Sequence, residues 1–312
     1  MIEIYKTDEN RHLNNIEDMT KGSWVNIVAP TEAEIDYICT TLQLPINFMK
    51  DPLDDEERPR IEKEDDNVLI IVDFPYLTRD EADLPIFETI PIGMIFTKDC
   101  FITVSLKETP ILANFKNNKI KGFFTNKKTR FALQILFEIS SYYLRYLKQI
   151  NKMTNEAERE LHQSMKNKEL YTFLALEKSL VYFTTSLKSN RVVLDKILRF
   201  NYLKMYEEDK ELLEDVIIEN AQAIEMAEVY LSILSGMMDA FASIISNNVN
   251  NAMKFLTSVT IILTLPTMVA SFYGMNVELP FEHNRFAFIF TLLIAITLAG
   301  TTAFIFWKKK YF

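Results

Sequence analysis

Hydroxyl groups recur along one line near the end of this 312-residue chain, at intervals of three and four positions: Thr257, Thr260, Thr264, Thr267 and Ser271. Residues spaced in this way share one face of an α-helix. The same face continues towards the N-terminus through these positions: Met253, Asn250, Ser246, Ser243 and Asp239. In a membrane, such a stripe either lines water or packs against another helix through small side chains.

Two features favour a water-filled path along this stripe. Asn250 and Asp239 extend it to where a bundle of helices would converge on its axis, and Pro266 leaves one backbone carbonyl of the helix without its usual donor. One helix per chain cannot enclose a pore, so several copies would have to surround one axis. The lining offers neutral oxygens and almost no fixed charge, which suits a cation such as Mg²⁺ that keeps its water shell.

The stripe lies in the first of two stretches that could cross a membrane. Residues 255–273 carry no charge, and residues 286–307 add 22 uncharged residues. Each stretch is long enough for a bilayer core of about 30 Å. Lys254 precedes the first span and 308–310 are lysines, so the positive-inside rule predicts a multi-pass protein of the cell (inner) membrane with both termini in the cytoplasm. The alternative is two buried helices of a soluble protein, against which the second span argues because it has no polar face.

Proline and glycine divide the rest of the chain. Eight of the ten prolines lie between Pro30 and Pro110. Strand-like runs lie at 24–28, 68–74 and 94–106, and a helical pattern covers 32–44. From Thr125 to Leu265 there is no proline and one glycine, so long helices are expected there, over about 129–165, 169–200 and 208–273.

These patterns predict an α+β membrane protein with three parts. A cytosolic α/β domain covers 1–124, and a long-helix stalk over 125–254 continues without a break into the first span. A transmembrane hairpin with a basic tail covers 255–312.

The third long helix carries an apolar seam with steps of three and four: Ile224, Ala227, Leu231, Leu234, Met238, Phe241 and Ile245. Such a seam is typical of helices that associate side by side. Its partner is either another copy of the chain or the two preceding helices, and the sequence leaves both possibilities open.

Composition excludes several functional classes. The formal net charge of −9 argues against a nucleic-acid partner. The sequence has no Gly-rich phosphate loop, no His-Glu-x-x-His and no catalytic triad order, so we expect neither an enzyme nor an organic cofactor. Cys39 and Cys100 lack metal-ligand spacing and are expected to be free, buried thiols.

The motif Tyr273-Gly274-Met275-Asn276 follows the first span directly. With this motif the chain resembles the CorA-type magnesium transporter family, whose signature is Gly-Met-Asn at this position. The resemblance covers the whole chain and includes further matches at the family's spacings: Asn250, Met253-Lys254, Leu256-Thr257, Pro266-Thr267 and Trp307-Lys308-Lys309-Lys310.

The resemblance implies a funnel-shaped homopentamer in the lipid bilayer that admits Mg²⁺, with Co²⁺ as a candidate second cargo, down its electrochemical gradient into the cytoplasm. Gly274, Met275 and Asn276 of all copies would form the selectivity filter. Asn250 would form an inner polar ring, and Met253 with Leu256 would form a hydrophobic gate. We expect Gly274 to let the helix end in a tight turn; the competing role for Asn276 is a helix C-cap.

The resemblance also implies a regulatory divalent cation between neighbouring subunits. Its carboxylate ligands would be Asp51, on the α/β domain, and Asp215, on the long helix, and bound Mg²⁺ would favour the closed state. The competing interpretation of Asp51 is an ordinary solvated surface, because residues 51–66 contain nine acids and three bases.

Two departures from the family pattern limit these expectations. Lys50 precedes Asp51 where some members carry an acid, which puts a second regulatory site in doubt. The outer loop lacks the common Met-Pro-Glu, and its Glu278 or Glu282 could serve to concentrate cations outside.

Two alternative functions remain open. The same fold could carry Co²⁺, Ni²⁺ or Zn²⁺, although the zinc branch typically has isoleucine where this chain has Met275. A protein of another class, a non-conducting membrane-anchored scaffold or sensor, would not need the stripe from Asp239 to Ser271.

Overall fold

The structure is a computed structural model. It describes residues 1–8, 12–79, 85–120, 122–164, 167–200, 202–276 and 285–309, and for 162–164 and 167 the backbone alone. The chain divides into two compact units, Met1–Ser235 and Gly236–Phe312. The two candidate regulatory carboxylates lie in the first unit, and all candidate pore and filter residues lie in the second.

Within the described residues, seven strands form one sheet. They are β1 (Ile2–Thr7), β2 (Leu13–Ile16), β3 (Trp24–Val28), β4 (Arg60–Glu64), β5 (Asn67–Arg79), β6 (Pro85–Phe96) and β7 (Phe101–Ser105). Their order across the sheet is β2-β1-β3-β7-β6-β5-β4. The central strands β3 and β7 pair in parallel, with Trp24 opposite Phe101, while the other neighbours pair antiparallel.

The helices are α1 (Glu32–Leu42), α2 (Ile46–Lys50), α3 (Pro110–Lys116), α4 (Lys128–Ser164), α5 (Asn167–Arg199), α6 (Glu207–Tyr273) and α7 (Ala287–Lys308). The three long helices predicted from the sequence are confirmed to within a few residues. The helix predicted over 32–44 begins with a capping box between Thr31 and Glu34. It ends two residues early because Gln43 adopts a left-handed φ of 51°.

The sheet is buried on both faces because its central strands alternate two sets of apolar side chains. Val25 and Ile27 of β3 pack in one core with Ile38 of α1 and Phe48 of α2. On the other face, the ring of Phe131 packs against two strand residues, with ring centroids 5.1 Å from Trp24 and 5.0 Å from Phe101. The first unit is therefore a three-layer α/β/α arrangement, and one of its helical layers is formed by α4 and α5, which were predicted as part of the stalk over 125–254.

The apolar seam of α6 packs against α5 of the same chain in the first unit. Ala227 and Leu234 are fully buried. Along this contact, Glu228 Oε1 lies 2.6 Å from Lys188 Nζ, and the Ser235 hydroxyl donates a 2.8 Å hydrogen bond to Glu177. Of the two partners left open by the sequence, the preceding helices therefore take this part of the seam.

A buried acid lies where α5 crosses β5. Asp73 is 8% exposed, and its main chain is held by Asn190, whose side chain both accepts from its N–H (2.9 Å) and donates to its carbonyl (2.8 Å). Burial raises the pKa of Asp73 to about 6, while a hydrogen bond from Ser186 opposes the rise. Ionisation of this buried side chain therefore costs stability.

Replacing Asp73 by Asn should stabilise the protein at neutral pH. The folded pKa of about 6 lies above the ordinary 3.8, so the stability that this group contributes is present at low pH and is lost as the pH rises through 6. This difference corresponds to about 3 kcal/mol. We expect D73N to raise the thermal midpoint of the purified protein by about 5–10 °C at pH 8. The two proteins should converge near pH 4, and equal midpoints at pH 8 would contradict the assignment.

Candidate ion pathway and regulatory carboxylates

The predicted pore-lining residues all lie on the exposed surface of α6 within the second unit: Asp239, Ser246, Asn250, Met253, Leu256, Thr257, Thr260, Thr264, Thr267 and Ser271. Ser258, on the other side of the helix, is 2% exposed. Ile262, Leu265 and Val269 on the same side are half-buried. The hydroxyl stripe and the packed face of this helix are therefore opposite one another.

The second span borders part of this side: Ser258 of α6 and Phe306 of α7 line one cavity, together with Asn250, Met253 and Thr257 of the stripe. Within the second unit α7 is the neighbouring helix, and its own buried residue is Ala295. Among the described residues two helices, α6 and α7, are long and apolar enough to cross a membrane, and only 6% of each apolar stretch is buried. That exposure does not fit the alternative of two core helices in a soluble protein.

Three threonines of the stripe donate their hydroxyl hydrogens to carbonyls inside the helix. Thr260 donates to the carbonyl of Leu256 at 2.8 Å, and Thr264 donates to that of Thr260 at 2.7 Å. Thr267 donates in the same way to Leu263 at 3.0 Å. A hydroxyl whose only hydrogen is donated to a backbone carbonyl can act towards solvent only as an acceptor. These three threonines therefore present oxygen lone pairs, which suit the outward-pointing hydrogens of a hydrated cation.

The Gly-Met-Asn motif begins one residue after α6 ends. The N–H of Gly274 donates to Ala270 at 3.0 Å, and the N–H of Met275 donates to Phe272 at 3.2 Å, so the last turn tightens as the chain leaves the helix. Gly274 is not among the residues with positive φ, and a Cβ there would lie 3.4 Å from the nearest atom. The tight turn forms as expected, but it does not depend on the left-handed freedom of glycine.

Asn276 is exposed, and its side chain has no hydrogen-bond partner among the residues that the structure describes. The amide is thus free to face a ligand and does not cap the helix. Glu278 and Glu282 of the outer loop lie outside the described residues.

The position of Asp51 is fixed by the core beneath it. Helix α2 buries Phe48 and Met49 completely, and Asp51 opens a short 3₁₀ turn, Asp51–Leu53, directly after it. The ring of Pro52 fits against Gly93 so closely that a Cβ at Gly93 would lie 2.8 Å from Pro52 Cβ. The backbone around the carboxylate is therefore held firmly from below.

The Asp51 carboxylate is paired within its own chain. Arg60 Nη2 lies 2.5 Å from Asp51 Oδ2, Nη1 lies 2.6 Å from Glu57, and Nε lies 3.3 Å from Glu62. Burial raises the pKa of Asp51, Arg60 opposes the rise, and Glu57 and Glu62 add to it. The three carboxylates thus carry more negative charge than the single guanidinium neutralises. Lys50, which departs from the family pattern, extends away to Glu32 at 2.8 Å.

Asp215 is exposed on α6 and has no ion-pair partner among the described residues. No group of three or more His, Cys, Asp or Glu side chains in the described part of the chain could hold a metal ion. A single chain therefore offers two separate carboxylates rather than a complete metal site.

Comparison with known proteins decides the family. Residues 20–310 match the family described as CorA-like Mg²⁺ transporter protein. The chain belongs to this family. The resemblance inferred from the Gly-Met-Asn motif and its surroundings is thereby confirmed, and with it a family of membrane transporters of Mg²⁺ and Co²⁺ rather than of enzymes.

Individual CorA relatives are similar over nearly their whole length. The cobalt/magnesium transport protein CorA of Methanocaldococcus jannaschii is 27% identical over 299 residues, which cover 92% of this chain and 90% of the relative. The protein of the same name from Thermotoga maritima is 23% identical and covers 98% of this chain and 88% of its own. The complete structure of the M. jannaschii CorA magnesium transporter superposes with a TM-score of 0.84 at 24% identity, covering 98% and 97% of the two chains.

Arg60 is the residue of this CorA-family chain that sequence reasoning did not single out. It was one of three bases in the acidic segment 51–66, and nothing in the order of residues shows which carboxylates it meets. The signal available was the alternation of β4, which begins at Arg60 and turns Ile61 inward. That alternation predicts that Arg60 and Glu62 lie on the opposite, outer face. It does not predict that the guanidinium contacts Asp51.

Cysteines placed on the hydroxyl stripe test whether it contacts water in the membrane. We expect T260C and T264C to react with a water-soluble thiol reagent in proteoliposomes, because both residues would face an aqueous path. The matched control is S258C, whose native residue is 2% exposed. Both native cysteines are free, and Cys39 is half-buried rather than buried as predicted, so it is replaced by serine. Equal labelling of S258C and T260C would contradict the path.

Proposed function

We propose that five copies of the chain surround one axis and conduct Mg²⁺, and Co²⁺ as a second cargo, into the cytoplasm down its electrochemical gradient. The observation that carries the proposal is the hydroxyl stripe of α6, which lies on an exposed surface opposite the half-buried residues Ile262, Leu265 and Val269. In this arrangement the first span lines the pore and the second lies outside it. Membership of the CorA-like family, whose M. jannaschii and T. maritima relatives are named cobalt/magnesium transport proteins, supports the same cargo.

The proposed path has three narrow points. Gly274, Met275 and Asn276 form the filter at the outer mouth, where amide oxygens meet the water shell of the ion. Asn250 forms an inner polar ring. Met253 and Leu256, which are 56% and 60% exposed in the single chain, form an apolar constriction that closes by dewetting.

The membrane potential is sufficient to drive uptake. With both termini cytoplasmic, a divalent cation that moves inward gains about 4.6 kcal/mol per 100 mV, because each charge contributes about 2.3 kcal/mol. No nucleotide hydrolysis and no organic cofactor are then required. The path runs through the proposed hairpin, 255–312, while the cytosolic domain, 1–124, and the stalk, 125–254, regulate it.

The regulatory ion is proposed to bind Asp51 of one subunit and Asp215 of its neighbour. Two observations support a site shared between copies: Asp215 is exposed, and no complete metal site exists among the described residues of one chain. Mg²⁺ bound there would join the subunits and favour the closed state, since it binds that state better than the open one. Transport would then be inhibited by its own product.

Flux into liposomes tests the proposal. Purified protein is reconstituted around an internal Mg²⁺-sensitive dye, and an inside-negative potassium diffusion potential is imposed. We expect uptake that increases with the potential and competes with external Co²⁺. Intact oligomers that give no more signal than empty vesicles would support the scaffold or sensor instead. Uptake of Zn²⁺ or Ni²⁺ in preference to Mg²⁺ would support a different cargo for the same fold.

A further inference from the structure

Arg60 occupies the position that a cation would take among the acids around Asp51. Its planar guanidinium contacts three carboxylates at once, those of Asp51, Glu57 and Glu62, with N–O distances of 2.5, 2.6 and 3.3 Å. The side chains of Arg60, Asp51 and Glu57 are only 30%, 25% and 25% exposed. An arginine in this setting is always charged, so its positive charge is a permanent part of the cluster.

This arrangement affects any cation that approaches Asp51. The guanidinium holds Oδ2 of the Asp51 carboxylate, so a divalent cation can use that oxygen only after Arg60 has moved away. Arg60 also cancels one of the three negative charges, which reduces the attraction for a second cation. Both effects lower the affinity of Asp51 for Mg²⁺ compared with the same carboxylate without an arginine.

We infer that Arg60 is a tethered competitor of the regulatory ion, and that it sets the Mg²⁺ concentration at which the protein closes. The inference rests on the proposed regulatory pair, Asp51 and Asp215. A site already partly neutralised by the chain itself releases Mg²⁺ more readily, and a sensor of free Mg²⁺ in the cytoplasm needs that property. Tight binding would keep such a sensor permanently occupied.

A purely structural role for Arg60 predicts a shift of opposite sign. If the side chain only fixed the segment between Asp51 and β4, its loss would loosen the site, and more Mg²⁺ would be needed for closure. Competition predicts that less Mg²⁺ is needed. The sheet itself does not depend on the guanidinium, because β4 is an edge strand paired with β5 through its main chain, with Arg60 opposite Ile71.

The experiment measures protection of the full-length protein from chymotrypsin as a function of Mg²⁺ concentration. Chymotrypsin is used because a trypsin site would be lost with the arginine. For R60Q we expect the protection midpoint to fall at least about tenfold, a change of about 1.4 kcal/mol in binding. The control is R58Q, since Arg58 is exposed and makes no ion pair with a residue that the structure describes. Its midpoint should stay within about twofold of wild type, because it loses the same charge without losing a contact.

Further variants separate failure of the inference from failure of the regulatory pair. In a D51A background, R60Q should no longer lower the midpoint, because the carboxylate for which Arg60 and Mg²⁺ compete is absent. An R60Q midpoint equal to or above that of wild type, while D51A still shifts it, overturns the inference alone. If neither D51A nor D215A shifts the midpoint, the regulatory pair is wrong and the inference falls with it.

If R60Q does not assemble, R60K carries the test, since lysine keeps the charge but cannot bridge three carboxylates at once. Its midpoint should be lower than that of wild type by about threefold. An unchanged or higher midpoint overturns the inference.

Discussion

The variant N276A is expected to reduce Mg²⁺ uptake into liposomes to the level of empty vesicles. The exposed amide of Asn276 is the side chain of the motif that can offer an oxygen to the water shell of an incoming ion. A hydrogen bond to a charged group contributes about 1.5–3 kcal/mol, so the loss of even one in the transition state slows entry about 10- to 150-fold. Five copies lose this oxygen together in the proposed pentamer.

The matched control for this filter variant is N251A. Asn251 is an exposed asparagine of α6 that does not belong to the hydroxyl stripe. Uptake by N251A should remain within about twofold of wild type, since an exposed side chain away from the path has little effect. Size-exclusion chromatography should give the same oligomer for both variants. Wild-type flux in an intact N276A oligomer would remove Asn276 from the filter.

The second large effect is expected for D51A and D215A, which should each raise the Mg²⁺ concentration needed for closure by at least about tenfold. In the proposed site, each variant removes one of the two carboxylates that would hold the same ion, and hard oxygen ligands with negative charge supply most of the affinity for Mg²⁺. Because both residues act on one ion, the double variant should be little worse than either single variant. Chymotrypsin protection and the inhibition of flux by internal Mg²⁺ should shift together.

Two neighbouring acids provide controls for this regulatory pair. Asp54 lies three residues from Asp51 in the same acidic segment, and Glu214 precedes Asp215 on α6; both are exposed. D54A and E214A remove the same charge from nearly the same place. Should D51A and D54A give superimposable protection curves, the acidic segment would act only as a solvated surface.

Helices could be predicted from this sequence more reliably than strands. Absence of proline and sustained apolar periodicity define α4, α5 and α6 locally, so their ends were predicted to within a few residues. Strand β4, with the sequence Arg-Ile-Glu-Lys-Glu, was missed because it has one apolar residue and is a strand only through its pairing with β5. Strand β1 was missed as well, although Ile2 and Ile4 have the spacing of one face of a strand.

Of the two candidate sites, one could be predicted from local residue spacing and the other could not. The stripe from Asp239 to Ser271 follows from helical spacing alone, and the structure places all of its predicted residues on one exposed surface. The environment of Asp51 could not be obtained in this way. It depends on a turn that brings Arg60 back to a carboxylate nine residues earlier. Such a contact follows from the path of the chain in three dimensions and not from the residue spacing of a helix or strand.

The threonine hydroxyls of α6 that donate to carbonyls of their own helix also affect how the stripe would interact with anions. Chloride in a narrow passage needs hydrogen-bond donors to replace its water, and the hydroxyls of Thr260, Thr264 and Thr267 have none left to give. In the proposed pore these three positions would give chloride no donor, and Asp239 at the N-terminal end of the stripe would add a fixed negative charge. Each Mg²⁺ that enters would therefore carry its two charges unaccompanied. Sustained uptake would depolarise the cell unless another protein exports the same amount of positive charge.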